Sequence, residues 1–335
     1  MKVGLIGAGL QGRRRAPAIQ SFLGTELVVI SADYKESAQS AALAKNFGCE
    51  STVGWEQVVK RSDLDAVVIC TPPHLHAKIG IAAMESGKHV LCEKPLTRTI
   101  EEAEAMVNAA KANNVKLKCG FNHRYHPAII EAKNLLDQGK IGEPSFVRCR
   151  YGIGGRPGYE KEWRANPEIA GGGELMDQGM HAIDLSRCFL GEFTEVCGLM
   201  ANYLSNSASV EDNGFVLLRT KTGKIASIHA SLTQWKNLFS FEVFGSDGYV
   251  IAEGLGGSYG NERLVFGRRD FSKPFTEEIV EFRGEDRSWL EEWKEFVACI
   301  KEDREPSGNG YDGLIAMRVV KAAYESDRKH CFATL

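Results

Sequence analysis

The chain has 335 residues, 43% of them hydrophobic and 25% charged, with a formal net charge of −3. That balance is ordinary for a soluble globular protein and argues against a nucleic-acid or membrane surface, and no apolar run approaches the roughly eighteen residues that a membrane helix requires. The length is a prior for about two domains, each able to bury its own core. The nine cysteines are scattered singly, without C-x-x-C, and Cys70, Cys92 and Cys119 end apolar runs, which predicts reduced, mostly buried thiols. The first apolar segment is strand-length, punctuated by glycine and followed by arginines, unlike a secretory signal, so the expected location is cytoplasmic.

Residues 1–33 hold the densest signal. Lys2-Val3-Gly4-Leu5-Ile6 reads as a buried strand, Gly7-Ala8-Gly9-Leu10-Gln11-Gly12 matches G-x-G-x-x-G, a helix is predicted from Arg13 to about Phe22, and Leu27–Ile30 leads to Asp33. Strand, glycine turn, helix, strand and acid within one βαβ unit point to a dinucleotide. Gly7 allows the tight turn, Gly9 admits a pyrophosphate to the backbone, and Gly12 lets helix and strand pack closely. The helix N-terminus, at Leu10 and Gln11, offers unpaired N–H groups and a positive dipole end. Asp33 would bond the ribose hydroxyls and repel a 2′-phosphate, which favours NAD; Lys35 and Arg13 soften that discrimination and leave NADP open. Of Arg13-Arg14-Arg15, the last two either help hold phosphate or form a solvated helix face.

Helices are predicted over 36–47 and 55–60, then Ala66–Cys70 is a near-continuous apolar run, as in a central parallel strand. Thr71-Pro72-Pro73 stops it at the carboxyl edge, where ligands sit in open α/β sheets. A helix over 76–86, a strand over 89–92, a helix over 101–113 and a strand over 116–121 complete a doubly wound parallel sheet, expected to span residues 1–122. Glu93-Lys94-Pro95 follows the 89–92 strand, so Lys94 faces the cofactor crevice and can exchange a proton there, or is a surface lysine on a turn; Pro95 fixes that turn and admits a cis bond.

From about residue 123 to 335 the pattern changes. A helix over 127–138 precedes strand-like segments at 145–151, 194–203, 214–220, 225–233, 239–245 and 249–253, with hairpin turns at 221–224 and 245–248 and closing helices over 288–302 and 311–327. This predicts an α+β domain on a large, mostly antiparallel open sheet with helices on one face. Its other face needs a partner, and a homodimer or homotetramer is expected.

One helical insert, 173–189, follows Gly171-Gly172-Gly173. On a regular helix Asp177, His181 and Asp184 fall at i, i+4 and i+7 and share a face. Histidine is the side chain best suited to proton exchange near neutral pH. The same face admits a metal site, although no other His or Cys cluster completes one, and it equally admits a buried structural histidine.

Together, Gly7–Gly12, Thr71-Pro72 with His76, Glu93-Lys94-Pro95, Asn122-x-Arg124 with Pro127, Trp163-Arg164, Gly171–Asp184 and Gly310-Tyr311-Asp312-Gly313 with Ala316, Ala323 and Ser326 resemble the Gfo/Idh/MocA family (glucose–fructose oxidoreductase, inositol dehydrogenase and rhizopine-catabolism proteins). The resemblance implies an NAD(P)-dependent dehydrogenase acting on a sugar, a nucleotide sugar or a polyol held between the domains, with no metal. It implies Lys94 and His181 as the acid/base pair and Asp177 as the group that positions or shares the substrate hydroxyl. Trp163 and Arg164 fall where such proteins line the junction of nicotinamide and substrate, and His76 and Glu93 fall beside the cofactor; His76 and Arg124 fit structural roles as well. Arg124, Arg156, Tyr159 and Arg164 either recognise a substrate anion or are loop residues facing water. Arg148 and Arg150 share one strand face. Two other functions stay open, a glycosidase with transient redox and a non-catalytic dinucleotide sensor, the second weakened by intact Lys94, Asp177 and His181.

Overall fold

The alternating segments of the first third of the chain fold as β1 (Lys2–Ile6), α1 (Leu10–Ser21), β2 (Glu26–Ala32), α2 (Ser37–Phe47), β3 (Glu50–Val53), α3 (Trp55–Val59), β4 (Ala66–Ile69), α4 (His76–Glu85), β5 (His89–Glu93), α5 (Ile100–Ala112) and β6 (Leu117–Gly120) in the computed structural model, which describes residues 1–204, 209–274 and 276–335. Among the described residues these strands form one six-stranded parallel sheet in the order β3-β2-β1-β4-β5-β6. The order reverses between β1 and β4, so the loops leaving these two strands part at the carboxyl edge and open a crevice there. β3 departs from expectation. Its sequence, Glu-Ser-Thr-Val, lacks an apolar run because it is an edge strand with most of its side chains exposed.

The chain divides into two units. The first is Met1–Phe121 with Trp289–Ile315, and the second is Asn122–Ser288 with Ala316–Leu335. In the first unit the late helix α9 (Ser288–Glu302) brings Trp293, Phe296 and Val297 into one core with Val3, Leu5, Ala16, Ile19, Leu27 and Ile30.

The second unit begins with α6 (Pro127–Asp137), β7 (Pro144–Gly154) and α7 (Pro167–Ala170), followed by α8 (Met180–Leu190), β8 (Phe193–Ala201), β9 (Asn213–Thr220), β10 (Ile225–Ser231), β11 (Thr233–Gly245) and β12 (Gly248–Glu253). It closes with β13 (Glu262–Arg268), β14 (Glu277–Phe282), α10 (Gly310–Lys329, which starts in the first unit) and β15 (Ala333–Thr334). Among the described residues it builds a nine-stranded sheet in the order β14-β13-β12-β11-β7-β10-β9-β8-β15, antiparallel except for the β7–β10 pair. Alternation decides the faces. On β7, Val147, Cys149 and Tyr151 are buried while Phe146, Arg148 and Arg150 are exposed. α8 packs on the buried face, with Phe189 edge-on to Phe241 at 5.1 Å. β13 and β14 were not expected, since Glu-Glu-Ile-Val-Glu-Phe on β14 is an exposed edge strand whose charges hide the period.

The polar exception in the first core is Arg15. It is not a solvated helix face: it is 1% exposed, its Nε donates to Glu93 Oε1 at 2.8 Å, and its Nη1 pairs with Glu292 of α9. Burial acts to pull its pKa down, but Glu292 and Glu93 outweigh it and keep the guanidinium charged. Trp289 lies over the guanidinium at 4.6 Å. Arg15→Met, which strands two buried carboxylates, is expected to destabilise the first unit by about 3–5 kcal/mol. The check is a lowered urea midpoint, with most of the loss recovered in the Arg15→Met/Glu93→Gln/Glu292→Gln triple variant; an unchanged midpoint contradicts the buried-ion account.

Candidate active site

In the first unit the crevice residues come from loops at the carboxyl edge of the sheet. Gly7 has φ +105°, and a Cβ there would lie 2.6 Å from the Cys70 carbonyl; a Cβ on Gly12 would lie 2.0 Å from Gly7 O. Both glycines are therefore required by packing. Gly9 differs, because a Cβ there would meet nothing within 4 Å. It is the N-cap of α1 without a capping side chain, and the helical ladder starts at Arg13 N–H to Gly9 O (3.0 Å). The N–H groups of Leu10, Gln11 and Gly12 precede that bond, so open space adjoins a helix N-terminus, as a pyrophosphate cradle needs. Asp33 is exposed after β2, and its Oδ1 accepts the Glu36 N–H at 3.0 Å.

Lys94 follows β5 directly, and the Lys94–Pro95 bond is cis. The turn is tied to the Thr71-Pro72 loop by buried His76, whose Nδ1 lies 2.9 Å from Pro95 O and whose Nε2 lies 2.7 Å from Thr71 O. Burial pushes the His76 pKa down, against the two carbonyls. Glu93 is drawn inward to Arg15 and is buried.

In the second unit the helical insert is not one regular helix. Leu175–Gly179 winds as a π-helix before α8 begins, so the i, i+4, i+7 face assumed for Asp177, His181 and Asp184 is broken. The three acquire separate surroundings. Asp184 is buried, and both its oxygens accept from Arg124, Nε at 2.7 Å and Nη2 at 2.5 Å. Asp177 is partly exposed, 3.4 Å from Arg164 Nε. Arg164 also stacks its guanidinium on Trp163 at 4.4 Å. His181 is buried, its ring stacked on His123 with centroids 3.8 Å apart. Tyr159 packs with Ala165, Val210 and Leu232, and burial followed by Asp177 and Glu174 raises its phenol pKa. Arg156 pairs with Glu162 through both oxygens. Among the described residues no group of three His, Cys, Asp or Glu is arranged for a metal.

Sequence alone does not single out His123, Tyr151 and Glu211. His123 is the middle residue of Asn122-x-Arg124, and Tyr151 carries only the β7 alternation as a signal. Glu211 carries none: from a distant loop it accepts the Gly173 and Leu175 N–H groups, each at 3.0 Å, and the Tyr324 hydroxyl at 2.7 Å, which pins the start of the π segment.

Residues 1–121 match the family model described as an oxidoreductase family with an NAD-binding Rossmann fold. The residues present fit that group: the Gly9 cradle would take the pyrophosphate and Asp33 the adenosine ribose. Gly9→Ala is expected to keep its melting temperature yet lose NADH affinity by about tenfold or more, whereas Gly12→Ala lowers the melting temperature itself. Fluorescence titration with NADH and thermal unfolding separate the two; full NADH affinity in Gly9→Ala contradicts the cradle.

Residues 129–251 match the GFO/IDH/MocA C-terminal domain. The chain is 31% identical to levoglucosan dehydrogenase of Pseudarthrobacter phenanthrenivorans over 75% of this chain and 73% of that one. It is 29% identical to inositol 2-dehydrogenase of Rhizobium meliloti over 97% and 96%. Among solved structures, levoglucosan dehydrogenase in complex with NADH and levoglucosan superposes with a TM-score of 0.91 at 28% identity, covering 100% of this chain and 99% of that one. No described helix is long and apolar enough to cross a membrane. The chain belongs to the Gfo/Idh/MocA family and is an oxidoreductase with an NAD-binding Rossmann domain.

Proposed function

We propose that this protein oxidises a secondary hydroxyl of a sugar or cyclic polyol, or reduces the matching ketone, with NAD preferred over NADP. The observation that carries the reading is the full-length likeness to dehydrogenases of levoglucosan and inositol in a chain that has Lys94, Asp177 and His181. Nicotinamide, when bound, supplies the hydride acceptor. The chain's own residues handle the proton and the alignment. His181 takes the hydroxyl proton at a ring nitrogen, and the Lys94 ammonium stabilises the alkoxide charge that develops as the proton leaves. Asp177 accepts a hydrogen bond from the substrate hydroxyl, with Arg164 Nε 3.4 Å from its carboxylate. Arg124 acts indirectly in this scheme, since its fork is held by Asp184. Asp33 supports the cofactor preference by meeting a 2′-hydroxyl and repelling a phosphate.

We also propose a homo-oligomer formed through the outer face of the large sheet. Phe215, Leu217, Ile225 and Phe146 are exposed there on β9, β10 and β7, among charged side chains such as the Arg148–Glu242 pair. An exposed apolar area on an open sheet is covered when a second copy presents the same face.

Assayed on a panel of sugars, inositols and nucleotide sugars by NADH formation, the protein is expected to turn over at least one member. On it, Lys94→Ala and His181→Ala should each lose about 10²–10⁴-fold in kcat while NADH affinity is kept; near-normal turnover in both variants contradicts the roles. Leu217→Arg should shift the sedimentation mass from a dimer or tetramer toward a monomer. A monomeric parent protein contradicts the sheet interface.

A further inference from the structure

Asn122, His123, Tyr151, His181, Tyr259 and Ser288 form a connected set within the second unit. The Ser288 hydroxyl donates to Asp286 Oδ1 (2.6 Å) and so accepts from Asn122 Nδ2 (2.9 Å). That bond fixes the Asn122 amide and turns its oxygen to His123 Nδ1 at 3.2 Å, an acceptor that requires a proton on Nδ1. The other ring nitrogen, Nε2, lies 3.0 Å from the Tyr151 hydroxyl, which is 3.4 Å from that of Tyr259. Burial raises the Tyr151 phenol pKa well above its ordinary value, so it stays protonated; its one proton is aimed either at the Tyr259 hydroxyl at 3.4 Å, long for an O–H···O bond, or at His123 Nε2 at 3.0 Å, and the shorter contact takes it. His123 is thereby held neutral, with Nδ1–H donating and Nε2 accepting. Its ring lies nearly parallel to that of His181, 21° between planes and 3.8 Å between centroids.

Resting on the reading of His181 as the proton acceptor, we propose that His123 is a positioning residue: a hydrogen-bond-locked neutral aromatic platform that fixes the plane of the His181 ring and stabilises its protonated form. A cation over an aromatic face within about 6 Å is attracted to it. The platform is therefore worth more to the imidazolium than to the neutral ring, and it favours the state that forms when the substrate hydroxyl gives up its proton.

Charged and titratable groups lie near the pair on each neighbouring element and stay constant between variants. On the 122–126 segment they are Arg124, bonded to Asp184, and His126, whose ring is 5.5 Å from that of His123 and is bonded to Glu262. On the sheet they are Tyr151 and, in the loop after β12, Tyr259; from β11 the apolar Phe239 lies 5.9 Å from His123. The segment that carries His181 adds Glu174 and Asp177, both near enough to act on Tyr151. These groups are the same in every variant, so the difference between an aromatic and an aliphatic residue at 123 isolates the platform.

The test is NMR titration of the protein labelled with ¹⁵N-histidine, which needs no substrate. In the parent protein His123 should show the Nδ1–H tautomer and no titration above about pH 5. The His181 midpoint should fall by about half a pH unit or more in His123→Leu and stay in place in His123→Phe. An Nε2–H or titrating His123, or a His181 midpoint unmoved in His123→Leu, overturns the proposal. If the leucine variant does not fold, the parent tautomer and the phenylalanine variant still decide. Failure of the proton-acceptor reading is separate, because it shows as retained turnover in His181→Ala, whatever the titration gives.

Discussion

A guanidinium without access to water has to be matched by carboxylates, and in the first unit that requirement joins three distant parts of the chain. Arg15 sits on α1 one turn beyond the glycine loop, Glu93 closes β5 beside Lys94, and Glu292 belongs to a helix nearly two hundred residues later in sequence. Losing one member leaves a buried charge unpaired, which costs several times what an exposed pair such as Lys133–Asp137 contributes. The cluster therefore fixes the residue before Lys94 and the helix whose N-terminus would meet the pyrophosphate. His76 adds a second tie, bridging the carbonyls of Thr71 and Pro95 across the loops after β4 and β5.

The second unit orders its polar residues by committing each to a partner. Arg124 and Asp184 satisfy one another in a fork, Arg164 stands between Trp163 and Asp177, and Glu211 takes the amides at the start of the π turn. π turns recur at functional sites because one extra residue per turn re-aims the side chains that follow. Here the turn lets Asp177 stay partly open while His181 and Asp184 go inward. Against His181 lie the stacked His123 ring and, edge-on, Tyr151.

Much of this was legible in the residues. Parallel strands buried on both faces leave continuous apolar runs, and the glycine turn announces itself by spacing, so the first sheet and its cofactor edge could be read directly. The family followed from motifs spread over the whole chain. Harder to read was whatever depends on partners far apart in sequence. Arg15 looks like one of three helix-surface arginines until Glu93 and Glu292 are placed beside it. The π turn has no marker in Leu-Met-Asp-Gln-Gly, and a regular helix drawn through it puts Asp184 in a cluster it does not join. β3 and β14 are edge strands where exposure and charge erase the alternation that identified their neighbours.

The central claim is that a carbon–hydrogen bond of a sugar or polyol is broken with its hydride passing directly to the bound dinucleotide. Label transfer tests it most directly. The protein is incubated with NAD and carbon-deuterated sugars and polyols, among them levoglucosan and myo-inositol, and the reduced cofactor is analysed by mass spectrometry. The account predicts NADH carrying one deuterium from at least one of these compounds. A protein that binds NAD yet yields no deuterated NADH from any of them would contradict it.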